Sequence, residues 1–181
     1  MVANVRAGGI FYWDNSDTTG VRAKALQDLS GANLPPTLGL QVLVSAVDRH
    51  VIVLGADPIE LPTRTNVLDP LLISWCDQEN ILDWEPKSTN TAGSLRLSSG
   101  SQIVGGLRAR QETLVWTDTA LYSLQFIGPP YTFGVTLINE GVGLIAPGAA
   151  INSPAGVFWM DRKGFYVYNG AVKNVPCLVH S

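Results

Sequence analysis

Short apolar runs broken by two to four polar residues recur along the chain. LQVLVSAV and HVIVLGA flank Asp48-Arg49, and LLISW is followed by ILDW. IVGGLRA, ETLVW, LYSLQFI and GVTLIN come next, then AAIN, GVFWM, GFYVY and VKNV. Runs of this length with turn residues between them predict antiparallel β-hairpins. Three triplets punctuate them: Trp75-Cys76-Asp77, Trp116-Thr117-Asp118 and Trp159-Met160-Asp161, with the tryptophans 41 and 43 residues apart. Hairpins repeated at roughly 40–50 residues have the spacing of β-propeller blades. The pattern predicts an all-β fold of antiparallel blades. It divides into an N-terminal strand and linker segment at 1–39 and a partial propeller at 40–181, with blades at roughly 40–86, 103–139 and 148–176. Three blades do not close a ring, so the chain reads as a fragment of a larger one.

Within this frame GIFYW (9–13) is a strand. Val21 to Leu29 fits one helical face, with Gly31 as the residue after its C-terminus, and it also fits a strand through RAKAL. SGANLPPTLG is a linker, and 57–70 and KSTNTAGS are loops. Turns fall at Arg110-Gln111, Asp118-Thr119, GPPYT, Asp161-Arg162-Lys163-Gly164 and Asn169-Gly170. In the unit at 40–85 the tryptophan triplet joins the third and fourth strands, whereas in the later units it joins the second and third. Val115, Phe126, Phe158, Trp159 and Tyr166 lie in the strongest strand patterns and are expected in the core.

Hydrophobic residues at 46% suffice for a packed core. With 12 Lys+Arg against 15 Asp+Glu, the charge balance disfavours a tight grip on nucleic acid. Arg96, Arg108 and Arg110 are spread along strands, the last two alternating to one side. The side they mark is either a channel lining or, the favoured reading, a solvated blade face. Cys76 and Cys177 belong to no CxxC pattern, so reduced thiols in a reducing cytosol are expected. MVANVRAGG has no apolar stretch of signal-peptide type, and no run is long enough to span a bilayer.

Candidate chemistry is sparse. The acids Asp77, Glu79, Asp83 and Glu85 cluster between Trp75 and Trp84. Paired carboxylates there could cleave a glycosidic bond, with Trp75, Trp84 and Trp116 stacking on sugar rings. The commoner arrangement is a loop whose acids accept local hydrogen bonds. For the triplets, the structural reading has Trp packed between sheets and Asp bonding its own backbone two residues on. His50 and His180 lack ligand spacing to another His or Cys. Gly105-Gly106, inside a strand, suits close packing better than phosphate binding. No nucleophile elbow, P-loop or dinucleotide fingerprint occurs. The sequence therefore nominates no catalytic, cofactor-binding or metal residues.

Several phrases together resemble a known family. VDRHVIVLGADP, DPLLISWCDQENILDWEP, AGSLRLSSGSQIVGGLRARQETLVWTDTALYSLQFIGPPYTFG and FWMDRKGFYVYNGAVKNVPC are similar to the propeller-like tail hub or nozzle proteins of short-tailed bacteriophages, also described as packaged-DNA stabilisation proteins. The resemblance covers roughly residues 40–177. It implies a non-enzymatic virion component, assembled in the host cytoplasm and placed in the tail. Its partners would be its own copies in a ring, a portal or tail adaptor protein and distal tail proteins. DNA would be contacted loosely and without sequence specificity, with no membrane and no small-molecule substrate. Such proteins are longer than this one, with further blades expected after Ser181.

Overall fold

The computed structural model describes residues 1–14, 16, 20–45 and 48–176. Seventeen strands and one 3-10 turn, Leu26–Asp28, are all its regular structure among those residues. The fold is all-β and antiparallel, as the run pattern predicts. The chain divides into two compact units, Met1–Leu97 with Gly128–Thr132, and Ser98–Ile127 with Phe133–Ser181.

The first unit opens with a small sheet of β1 (Val2–Asn4), β2 (Ile10–Tyr12) and β3 (Lys24–Ala25). The ambiguous 21–29 stretch is thus split: two residues of strand, then the 3-10 turn that buries Leu26. Gly31 follows at φ +83, a left-handed conformation that glycine adopts without cost. β4 (Gly39–Val44), β5 (Val51–Ala56), β8 (Asp69–Trp75) and β9 (Gly93–Arg96) form a four-stranded sheet in that order. Every residue of β5 is buried, as a continuous apolar central strand should be. Val51 and Val53 pack with Ile10, Leu26, Cys76 and Trp84, so the N-terminal segment covers one face of this sheet.

Three expectations fail here. ILDW forms no strand; the fourth strand is β9, which lies beyond residue 86. Side chains win over strand pairing in this stretch, because Asn80 Oδ1 accepts from Leu82 N and Thr91 N donates to Asp77 Oδ1. Trp84 turns into the core and donates its indole N–H to Ile81 O at 2.7 Å. The presumed loop at 57–70 contains a miniature hairpin, β6 (Ile59–Glu60) with β7 (Thr63–Arg64), and the start of β8. Trp75 does end the third strand of its sheet, as expected.

The second unit holds two four-stranded meanders. β10 (Ile103–Arg108), β11 (Thr113–Thr117), β12 (Ala120–Gly128) and β13 (Thr132–Glu140) make the first. β14 (Ala150–Ser153), β15 (Gly156–Asp161), β16 (Gly164–Tyr168) and β17 (Val172–Val175) make the second. All eight strands lie where the apolar runs place them. Gly105 sits at a register shift between Ile103 and Gly105, so the glycine pair serves a β-bulge. Arg110 lies in the turn after β10, not on the strand with Arg108.

The two meanders share a core of Val104, Leu114, Trp116, Leu121, Val157 and Trp159. Val115 and Trp159 are buried as expected, and Phe158 and Tyr166 are half-buried. Phe126 is 40% exposed, against expectation. β11 pairs with β12 only as far as Thr113 opposite Leu124, so Phe126 lies beyond the cover of β11 and meets Phe133 edge-on at 5.7 Å.

The hairpin registers relate the two meanders. Trp116 faces Leu121 across its hairpin, and Met160 faces Phe165, both pairs five residues apart. Leu114 opposite Ser123 matches Phe158 opposite Val167. Met160 and Phe158 are therefore the positional counterparts of Trp116 and Leu114, while Trp159 is the counterpart of Val115. Alternation along a strand puts Trp116 and Trp159 on opposite faces of equivalent hairpins. That is why they meet, with ring centroids 5.6 Å apart and planes at 57°. Tyr166 stacks on Trp159 from the neighbouring strand at 5.5 Å.

Candidate functional site

The acidic loop between β8 and β9 is the densest polar cluster the sequence singled out. Each acid in it has specific partners. Asp77 Oδ1 accepts from Thr91 N at 2.8 Å and from the Thr91 hydroxyl at 2.7 Å. Asp83 accepts from Asn33 Nδ2 at 2.8 Å and Asn90 Nδ2 at 2.9 Å. Glu85 accepts from Asn33 Nδ2 at 2.9 Å and meets Lys87 Nζ at 2.9 Å. Glu79 pairs with Arg49 at 2.6 Å on the surface. The linker residue Asn33 thus ties the loop to the N-terminal segment, reinforced by Asn33 N to Leu82 O and Trp84 N to Asn33 O.

This geometry titrates as a scaffold does. Burial pushes the Asp77 carboxyl up, but the Thr91 amide and hydroxyl outweigh it and hold it below the ordinary value. Glu85 is lowered by Asn33 and Lys87. Trp75, Trp84 and Trp116 are 3%, 0% and 0% exposed, so none offers a ring face to a sugar.

The acid of the second triplet also braces the backbone, but not by bonding two residues on. Asp118 reaches back to the segment before β10, accepting from Ser101 N at 2.8 Å and Ser101 Oγ at 2.7 Å. Burial raises it, and those bonds more than compensate. Asp161 is buried at the end of β15. The tryptophans do pack as the structural reading expects: Trp116 and Trp159 between two sheets, and Trp75 against Gly93 with its indole bonded to Thr91 O at 2.8 Å.

Of the arginines, Arg96 pairs with Asp69 at 2.7 Å, while Arg108 and Arg110 are exposed. Cys76 is buried beneath Val51 N, and burial pushes its thiol up to about 12, far from reactivity. Cys177 and His180 lie outside the described residues. His50 is fully buried beside Asp48 and touches Thr91 Oγ1 at 3.0 Å. Among the described residues no group of His, Cys, Asp and Glu could hold a metal ion, and no helix is long and apolar enough to cross a membrane.

Sequence reasoning missed Asn33, Thr91 and Arg64. The Arg64 guanidinium is buried and donates to Leu34 O, Asp57 O and Ser74 Oγ. Small polar residues in loops give no periodic signal; only the density of acids nearby hints that donors must exist.

What remains exposed and unusual is an apolar sheet face. Ile151, Phe158, Met160, Phe165 and Val175 line a shallow groove on the last meander, with Ile151 66% and Phe165 45% exposed. The chain matches no protein-family model and no curated protein.

Proposed function

We propose that each of the three four-stranded meanders is a blade of a partial β-propeller, and that the protein is a non-enzymatic structural component of a bacteriophage tail hub or nozzle. The observation that carries the reading is the register match between the last two sheets. The Leu114/Trp116 face of one is covered by the next, and among the described residues no further sheet covers the equivalent Phe158/Met160 face of the last. A stack of blades has this directional arrangement, each sheet offering the same face to its successor. The bare face is where a further blade would pack.

The acids support a structural role, since those of the 76–92 loop are engaged in hydrogen bonds and ion pairs within the chain. The net charge of −3 suits a conduit that DNA passes without being held. On this reading the chain works in the virion tail, with its own copies, a portal or adaptor protein and distal tail proteins as partners. Co-expression with the portal protein of the same genome tests it. Co-purification in a ring-shaped assembly is expected. Hydrolysis of a polysaccharide that is lost on Asp77→Asn or Asp83→Asn would overturn it.

A further inference from the structure

The chain has a single Asn-Gly step, Asn169-Gly170, in the short turn that joins β16 to β17 and is closed by Tyr168 opposite Val172. Asn169, Gly170 and Ala171 are all exposed. Gly170 stands at φ +101, a conformation natural to glycine, and a Cβ there would meet nothing within 4 Å. The other asparagines precede Val, Ser, Leu, Ile, Thr or Glu, whose side chains crowd the following backbone nitrogen. Several of them also have their side-chain amides held. Asn4 donates to Gly39 O, Asn33 to Asp83 and Glu85, Asn90 to Asp83 and Glu85 O, and Asn152 to Arg108 O. Among the described residues neither the Asn169 side-chain amide nor the Gly170 N–H meets a partner; the turn's backbone bond runs from Asn169 N to Ala171 O at 3.4 Å.

We propose that Asn169 is a site of spontaneous covalent modification, where the side-chain amide is lost to attack by Gly170 N and the turn matures into aspartate and isoaspartate. The Gly170 nitrogen gives its proton to hydroxide and attacks Asn169 Cγ. A Cγ–N bond forms, the Cγ–Nδ2 bond breaks, and Nδ2 leaves as ammonia with a proton taken from water. The five-membered imide is then opened by water. Cleavage at Cγ gives aspartate. Cleavage at the Asn169 backbone carbonyl carbon gives isoaspartate, with the chain now running through Cβ and Cγ. Water is the sole co-reactant, and nothing is oxidised or reduced. Glycine suits the step because it places no Cβ beside the attacking nitrogen. Both products add a negative charge to an exposed turn. Isoaspartate also lengthens the backbone of a turn whose size sets the register of Tyr168 against Val172. Among the described residues β17 pairs only with β16, so this edge strand is the one that loosens.

Peptide mapping by mass spectrometry, on the full folded chain incubated at neutral and at mildly alkaline pH, tests the proposal. The mass gain of an amide-to-acid exchange should appear first in the peptide that holds Asn169. Its rate should rise with hydroxide, by about tenfold per pH unit, because the attacking nitrogen must first lose a proton. The product should split into two chromatographic forms, one of which accepts a methyl group from an isoaspartyl methyltransferase. Peptides with Asn33 and Asn90 should stay unchanged over the same time. Asn169→Gln, which would have to close a larger ring, should remove the gain; if that variant fails to fold, the wild-type map decides alone. In the isoaspartate fraction, amide exchange should speed up in β17 and not in β15. A first gain at another asparagine overturns the proposal. So does an Asn169 that stays intact in the folded chain while the urea-unfolded chain converts, since the fold would then protect the step.

Discussion

Trp116 and Trp159 pack against each other across two successive sheets because they occupy positions one residue out of step in equivalent hairpins. The contact looks like a repeat meeting its copy. In fact each tryptophan takes the place that an aliphatic or sulfur side chain holds in the other sheet: Val115 for Trp159, Met160 for Trp116. The large rings fill the shared core from both sides, which leaves Met160 and Phe158 facing outward.

Trp159→Ala should therefore cost about 3–5 kcal/mol, since it leaves a large cavity beside Trp116 and Tyr166. Phe126→Ala, at a 40% exposed position, should cost clearly less. Urea unfolding followed by the remaining tryptophans measures both. Equal losses would mean that the β12 end is packed more tightly than its exposure indicates.

Gly143→Ala should destabilise the second unit by about 1–3 kcal/mol. An added Cβ would stand 2.2 Å from the Asp118 carbonyl oxygen, a backbone atom that cannot rotate away. Gly20→Ala, with nothing within 4 Å, is the control. Thermal melts of the two variants should separate clearly.

Asp118→Asn should weaken the protein at pH 7 and flatten its acid limb. The native carboxyl is held below its ordinary value of 3.8, so its contribution is present above that pH and lost as pH falls through the lower native value. An amide cannot accept from both Ser101 groups at once in the same way. Wild type and variant should differ in denaturation midpoint at pH 7 and converge near pH 2–3.

Ile151→Glu should reduce binding of an apolar dye and concentration-dependent light scattering, with the melting temperature nearly unchanged. The side chain is 66% exposed on the bare face, so the substitution removes apolar surface without opening the core. Unchanged dye binding would place the sticky surface elsewhere.

Arg108→Ala and Arg110→Ala should leave folding intact, because both side chains are exposed. On the tail reading, any effect belongs to DNA retention or ejection from particles. A loss of thermal stability in either variant would point to a structural role instead.

The second unit was legible in the sequence because its strands are contiguous and joined by short turns such as Asp161–Gly164, where local chemistry and pairing agree. The first unit was read less well. Its sheet pairs β5 with β8 across an intervening miniature hairpin, and its fourth strand follows a loop whose shape depends on Asn33, 50 residues before its partner Asp83. Apolar content alone made ILDW resemble a strand. What sets its conformation is a set of side-chain bonds with no period. The acid cluster was visible as composition, but its use depended on Thr91 and Asn90, whose role only the folded loop reveals.

The spacing of the tryptophans also misstates the unit that repeats. Trp116 to Met160 and Leu121 to Phe165 are each separated by 44 residues, one more than the interval between Trp116 and Trp159. A chimera that spliced one sheet onto the other at their tryptophans would thread the grafted strand one step out of phase. Every side chain would then present to the wrong side, sending Phe158 and Met160 inward and Trp159 into water. Joining at Trp116 and Met160 keeps the phase, so the safe seam between these two sheets is the pair of residues that look least alike.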